Sequence, residues 1–272
     1  MNDSQCIAFL QWALPRLGLH WPGFRKVRGQ VCKRVSRRLK ELGFHDVSQY
    51  RAHLERTPGE WAVLEGLCRV TISRFYRDRR VFEVLEQTVL PALAEAATAR
   101  GETVLNCWSA GCASGEEPYT LSMLWDLAVG PRFPGLDLSI LATDVDPAVL
   151  QRAITGIYGG GSLKELPREW RERAFALSDG MYRVREEHRH KIVFHRQDLR
   201  SVMPEARFHL ILCRNLVQTY FAPAPRTDVM NRIAARLVPG GGLVVGIHEV
   251  LPPDVPGFEP WYERLGIYRR AS

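Results

Sequence analysis

Two glutamates, Glu116 and Glu117, follow a glycine turn, Gly111-Cys112-Ala113-Ser114-Gly115, which itself follows an apolar run, Val104-Leu105-Asn106-Cys107-Trp108. The pattern reads as a buried strand, a tight turn and a helix. A helix start presents unpaired N–H groups and a partial positive charge, which is why nucleotide enzymes rest a pyrophosphate there. Two acids at that position repel a polyphosphate and favour a ligand carrying an ammonium and a sulfonium, the charges of S-adenosylmethionine. The spacing agrees: Gly111 and Gly115 make GxxxG and not the GxGxxG of dinucleotide sites. A glycine turn also serves as a plain tight connection, so the loop gains meaning from what lies further along the chain.

Asp144 closes the apolar stretch that ends Thr143-Asp144-Val145-Asp146. It is expected at the carboxyl end of a core strand, where such sheets bind ligands, and its carboxylate can accept both hydroxyls of a ribose. Asp146, directly before Pro147, is expected to cap a helix instead. Asp198 stands after another apolar segment and reads either as an acceptor for an adenine amino group or as a turn residue. Asn215 suits the methionine portion of the same ligand or its own backbone, and its neighbour Arg214 reads as a surface ion pair. His248 and Glu249 form a polar pair after a core strand, expected to make a structural hydrogen bond; His188, His190 and His195 are expected on the surface.

The elements that must position these residues follow from apolar spacing. Residues 24–68 carry Val27, Val31, Val35, Leu39, Leu42, Tyr50, Leu54, Trp61, Leu64 and Leu67 at helical intervals, which predicts a small helical domain over 1–80. Gly43 is expected to end its first long helix, and Thr57-Pro58-Gly59-Glu60 to separate two more. From residue 81 the pattern alternates: helix 81–99, strand 103–108, helix 116–127, strand 138–143, helix 147–153. Alternation of this kind predicts a parallel sheet covered on both faces over 81–272. Residues 156–197 break the rhythm with a short helix near 168–175. Tyr182–Arg185 and Ile192–Phe194 flank a charged turn, which predicts a small antiparallel β insertion. The core then resumes with strand 209–213, helix 226–237, a turn at Pro239-Gly240-Gly241-Gly242, strand 243–247 and a last strand over 261–270.

Composition bounds the rest. The chain has 272 residues with 46% hydrophobic content, enough for one sizeable core and an appended smaller domain. It contains no run of about 18 apolar residues, and Met1-Asn2-Asp3-Ser4-Gln5 lacks the charged and apolar regions of a signal peptide, so a cytoplasmic protein without membrane insertion is expected. The 6 cysteines include no CxxC pair and are expected as reduced core thiols, with neither a disulfide framework nor a zinc site. The net charge of +7 concentrates in Arg25, Lys26, Arg28, Lys33, Arg34, Arg37, Arg38 and Lys40, with no acid before Glu41. Such a stripe is a solvated helix face or a dock for an acidic partner; no recognition motif accompanies it, which argues against nucleic acid.

The ordered blocks Val70–Asp78, Trp108–Tyr119, Thr143–Asp146, Gly156–Tyr158, Cys213–Asn215 and Pro239–Gly241 resemble the CheR-type methyltransferases, which use S-adenosylmethionine to esterify glutamate side chains of chemotaxis receptors. The resemblance spans roughly residues 24–250 and implies a Rossmann-like α/β fold with an N-terminal helical domain and a small antiparallel insertion. It implies cofactor contacts from Thr71, Ser73, Arg77, Gly111 and Glu117, a ribose contact from Asp144, adenine contacts from Asp198 and Leu199, and methionine contacts from Asn215 and Leu216. Thr71 and Asp198 depart from the asparagines common in the family. Another departure is one additional residue within Leu216-Val217-Gln218-Thr219 before Tyr220-Phe221. Because a helix turns about 100° per residue, the insertion leaves two readings of Tyr220 open, a substrate-side catalytic residue or an aromatic wedge.

The implied chemistry is undemanding. A glutamate carboxylate, with an ordinary pKa of about 4.3, is ionised at neutral pH and can attack a sulfonium methyl without a strong base. Positioning is then expected to dominate, with Arg77 as the planar fork that orients the carboxylate. The expected partner is an acidic acceptor protein docking on the basic N-terminal helix. The alternatives are transfer to a small molecule or RNA, or a non-catalytic module that only binds the cofactor.

Overall fold

The structure, a computed structural model, describes residues 1–252 and 255–271 and divides into two compact units. One comprises Met1–Thr71 with Thr219–Arg226, the other Ile72–Gln218 with Thr227–Ser272. The boundary expected near residue 80 therefore falls at Thr71, and a short later segment joins the first unit.

In the first unit the long helices are Asp3–Ala13, Arg28–Glu41, Val47–Arg56 and Pro58–Cys68. Asn2 caps the first in a reciprocal capping box with Gln5, and the Asp46 side chain accepts from Ser48 and Gln49 to start the third. Pro58 opens the fourth, where its missing N–H costs nothing. Val31, Val35 and Leu39 form the buried stripe of Arg28–Glu41, which turns Lys33, Arg37 and Lys40 outward. Cys6 and Cys32 are joined by a disulfide, with Cα atoms 5.9 Å apart. This corrects the expectation of uniformly reduced thiols; Cys68, Cys107, Cys112 and Cys213 are free and buried. The two bonded residues are 26 positions apart, and only the packing of the first helix on the second brings them together.

The second unit holds strands β1 (Val104–Ala110), β2 (Asp137–Asp144), β3 (Ile157–Gly159), β4 (Phe175–Ser178), β5 (Met181–Val184), β6 (Ile192–Arg196), β7 (Phe208–Leu212), β8 (Leu237–Val244), β9 (Phe258–Tyr262) and β10 (Ile267–Arg270). Among the described residues, seven strands form one sheet in the order β6-β2-β1-β7-β8-β10-β9, and β3-β5-β4 form a second. The first five strands of that order pair in parallel, and β10 runs antiparallel to both β8 and β9. Succession reverses between β1 and β7, which makes the carboxyl ends of those two strands the crevice of the sheet.

Three expectations are corrected here. Residues 192–196 pair in parallel with β2 and belong to the large sheet, so the small insertion consists of 157–184. The glycine stretch 239–242 lies inside β8, at a register shift against Phe208 and Leu210; Gly241 could carry no Cβ, which would lie 2.9 Å from the Val238 carbonyl oxygen. The tail is a two-stranded hairpin. The helix expected over 81–99 runs from Arg79 to Ala99 with a wide π-type turn at Leu85–Val89, just where Pro91 removes a donor. Trp108, fully buried at the centre of β1, donates its indole N–H to Thr143 Oγ1 at 3.0 Å. No helix among the described residues is long and apolar enough to cross a membrane.

Candidate active site

The glycine loop follows β1 at the crevice. Gly111, Ala113 and Gly115 have φ of +83°, +51° and +91°, a sequence of left-handed residues that turns the chain sharply into the helix Glu116–Leu124. The backbone N–H groups of Gly111 and Cys112 both donate to the Thr143 carbonyl, at 2.8 and 2.9 Å, and that of Ala113 donates to Asp144 Oδ2 at 2.9 Å. The loop is therefore laced to the end of β2. Tyr158 holds it from the other side, donating its hydroxyl to the Ser114 carbonyl at 2.6 Å.

The two acids at the helix start do not act together. Glu116 is 1% exposed, accepts from Ser114 Oγ at 2.8 Å and lies 3.6 Å from Arg152. It is absorbed by the fold, which corrects the reading of both acids as ligand-facing. Glu117 accepts from Ser109 Oγ at 2.7 Å through Oε1 and from Arg214 Nη1 at 3.2 Å through Oε2. The Cys112 thiol in this turn is pushed well above its ordinary range, by burial first and then by Asp144, Glu117 and Glu116. One atom in the turn thus feels three carboxylates.

Asp144 sits at the end of β2 as expected. Its Oδ1 accepts from the Asp146 N–H at 3.0 Å and its Oδ2 from Ala113, leaving further lone pairs on each oxygen. Burial raises its pKa above 3.8, against the backbone hydrogen bonds that favour the charged form. Asp146 caps the helix Pro147–Thr155 through Ala148 N–H at 2.9 Å. Asp198, past the end of β6, accepts from the Arg200 N–H at 2.9 Å and from the Arg200 guanidinium at 3.0 and 2.6 Å, so its carboxylate closes a turn; Leu199 beside it is buried.

Cys213, Arg214 and Asn215 follow β7. Asn215 has φ of +54°, and its N–H donates to Glu249 Oε2 at 2.8 Å, which also accepts from Gly246 N–H at 2.6 Å. Glu249 is thus structural, as expected. Leu216 packs on Gly111 across the crevice. Arg214 is not a surface residue: its side chain is 3% exposed, bonded to Asp78, Glu117 and the Arg77 carbonyl. The sequence marked it only as part of the Cys213–Asn215 block; burial and partners 97 and 136 positions away give it its role. His188 is likewise buried, with Nδ1 2.7 Å from Asp126 Oδ2, whereas His190 and His195 are exposed.

Within the loop 72–78, Arg77 Nη1 donates to the Ile72 carbonyl at 2.6 Å, stapling its own loop with one of its five donors. The loop is fixed further by Tyr76 N–H to Thr120 Oγ1 at 3.1 Å and by Arg74 to Glu165 at 2.9 Å. Ser73 is half-buried in the same loop, and Thr71 is exposed at the end of the helical unit. Tyr220 belongs to the helical unit, where its ring packs edge-on to Phe24 with centroids 5.0 Å apart and its carbonyl accepts from His20 N–H.

The second unit therefore brings Ser73, Arg77, Gly111, Glu117, Asp144, Asn215 and Leu216 onto loops at the carboxyl ends of β1, β2 and β7 or packed beside them. The carboxylates of Asp144 and Glu117 at this crevice suit a nucleoside that carries positive charge. The family described as CheR methyltransferase, SAM binding domain, matches residues 71–263. A chemotaxis protein methyltransferase of Listeria monocytogenes is 34% identical over 217 residues, 80% of this chain and 79% of that one. Its counterpart in Listeria innocua is 38% identical over the same shares. Chemotaxis protein methyltransferase 2 of Vibrio cholerae is 30% identical over 256 residues, 92% of this chain and 86% of that protein.

Proposed function

The chain belongs to the CheR methyltransferase family and is an S-adenosylmethionine-dependent methyltransferase, and we propose that its acceptor is a glutamate carboxylate on an acidic protein. The observation that carries the choice of acceptor is the outer face of the helix Arg28–Glu41. Arg28, Arg34 and Arg38 are engaged with Asp3, with the carbonyls of Leu67 and Arg69, and with Glu60. Lys33, Arg37 and Lys40 are exposed, and with Met1, Cys32 and Ser36 they line a cavity of about 390 Å³. A row of cations at helical spacing attracts an acidic protein face and raises the rate of encounter.

In this reading Asp144 accepts the ribose hydroxyls, Glu117 faces the ammonium, Asn215 and Leu216 hold the methionine end, Asp198 and Leu199 the adenine side, and Ser73 completes the pocket. The bound cofactor supplies a sulfonium methyl, which passes to a carboxylate oxygen while the S–C electron pair stays on sulfur. The protein needs no base for this, because the acceptor is already ionised. Arg77 has donors to spare for orienting that carboxylate, and Tyr220 is the second residue assigned to turnover. Alignment of the two reactants is worth on the order of 7 to 11 kcal/mol in well-oriented model reactions, so positioning suffices as the main catalytic term.

The test is to incubate the protein and labelled S-adenosylmethionine with lysate from cells that lack it. Label on a protein band, released by dilute alkali, is the expected result. Label that resists alkali, or that partitions with nucleic acid or small molecules, would overturn the acceptor assignment.

A further inference from the structure

Arg214 joins three separate pieces of the site. Its Nη2 donates to the Arg77 carbonyl at 3.0 Å and to Asp78 Oδ2 at 2.6 Å, and its Nη1 donates to Glu117 Oε2 at 3.2 Å. The guanidinium also lies 5.3 Å from the Phe82 ring centre, on the aromatic face. The anchors are the loop that carries Ser73 and Arg77, the first turn of the helix Glu116–Leu124, and the segment after β7 that carries Asn215. Asp78, at φ of +62°, is held in a left-handed conformation at the point where Arg214 grips it.

We propose that Arg214 is a positioning residue for methyl transfer that also sets how the site tells methyl donor from demethylated product. The inference rests on the cofactor placement given above. Two carboxylates, Asp78 and Glu117, share the Arg214 guanidinium, so these three side chains together carry one negative charge that Arg214 leaves uncompensated. S-adenosylmethionine carries a net positive charge and S-adenosylhomocysteine none, so that uncompensated charge favours the donor. Arg214 limits that preference while its fork fixes where Arg77 and Glu117 stand. A lysine retains the charge but cannot reach three anchors from a single nitrogen with the same geometry.

The test is calorimetric affinity for S-adenosylmethionine and S-adenosylhomocysteine at pH 8, in the wild type, Arg214→Lys, Arg214→Gln and the double variant Asp78→Asn with Arg214→Gln. Arg214→Lys is expected to weaken both ligands about tenfold, with their ratio unchanged, since the fork is lost and the charge kept. Arg214→Gln is expected to weaken both and to shift the ratio at least about fivefold towards the donor, the effect of one charge about 4 Å away in a medium as polar as water. The double variant restores the original net charge and should return the ratio to that of the wild type while affinity stays low. Removing a buried pair together is also tolerated better than stranding one partner, so this variant and Arg214→Lys carry the test if Arg214→Gln does not fold. Wild-type affinities in Arg214→Lys, or one ratio shared by Arg214→Gln and the wild type, would overturn the proposal. A wild type that binds neither ligand would instead sink the cofactor placement.

Discussion

Leu216 lies so close to Gly111 that a Cβ added to the glycine would stand 2.3 Å from Leu216 Cδ2. The contact ties the turn after β1 to the segment after β7, the two sides of the crevice where the strand order reverses. Gly111 also has φ of +83°, a conformation that L side chains rarely adopt.

Gly111→Ala is accordingly expected to cost about 1–3 kcal/mol of stability through backbone strain, and to weaken S-adenosylmethionine binding because Leu216 must move. Urea unfolding and calorimetry measure the two effects. Adding Leu216→Ala relieves the contact but not the strain, so it should recover only part of the stability. Full recovery would show that sterics alone matter at this turn.

Cofactor affinity should depend on the ionisation of Asp144. Burial raises its folded pKa above 3.8, so between that value and the raised one the folded chain holds this proton more than the unfolded chain does. The contribution of this carboxyl to stability therefore falls as pH rises through the window. Ribose hydroxyls donating to the charged form reverse the balance on binding. S-adenosylmethionine affinity should thus decline as pH is lowered towards 4, and Asp144→Asn should lose about tenfold or more at neutral pH, as expected for hydrogen bonds to a charged group. An unchanged affinity in Asp144→Asn would remove this residue from the site.

The helical unit should be acid-sensitive through Glu60. Its carboxylate accepts from Arg38 at 2.9 Å through each oxygen and from the Tyr50 hydroxyl at 2.9 Å, and Arg38 above all holds its pKa below 4.5. A depressed folded pKa gives stability that is present above 4.5 and lost as pH falls through the folded value. Glu60→Gln should cost about 1–3 kcal/mol at neutral pH, with the difference from wild type shrinking below pH 4.5. A difference independent of pH would assign the role to packing.

The Cys6–Cys32 bond closes a loop with a sequence separation of 26. By chain entropy it should stabilise the helical unit by about 3–4 kcal/mol. Thermal melts with and without a dithiol reductant read this directly, and Cys6→Ser should reproduce the reduced melt. If reductant leaves the midpoint unmoved, the bond contributes nothing under those conditions.

Arg77 and Tyr220 should separate binding from turnover. Arg77→Lys is expected to lower kcat about ten- to a hundredfold, because a single ammonium cannot replace a planar fork. Tyr220→Phe should lower turnover on the protein acceptor while leaving S-adenosylmethionine affinity intact. Loss of cofactor affinity in Tyr220→Phe would contradict an acceptor-side role.

Features governed by near neighbours were legible in the chain. Asp146 before Pro147 announced a helix cap because both the side-chain acceptor and the fixed φ act within two residues, and the cap is present. The glycine turn and the strand endings at Thr143-Asp144 followed from apolar runs and punctuation in the same way. Residues 192–196 did not: an apolar run of that length suits either a hairpin or a parallel strand, and only pairing with Ile140–Asp144 decides between them. His188 offered nothing to mark it, because its burial depends on Asp126, 62 positions earlier.

The sequence by itself determined where the chain turns, which residue types stand at the ends of its core strands, and that acids rather than phosphate-binding groups open the helix after β1. These are local properties, set by backbone preference, side-chain spacing and charge. Tertiary structure alone decided which acid serves which purpose: Glu116 is withdrawn to Ser114 and Arg152, whereas Glu117 is held by Ser109 and Arg214. It also turned Arg214 from one arginine among many into a buried joint of the site. The reason is that desolvation and charge pairing depend on distance in space, and distance between residues far apart in sequence exists only once the sheet has formed.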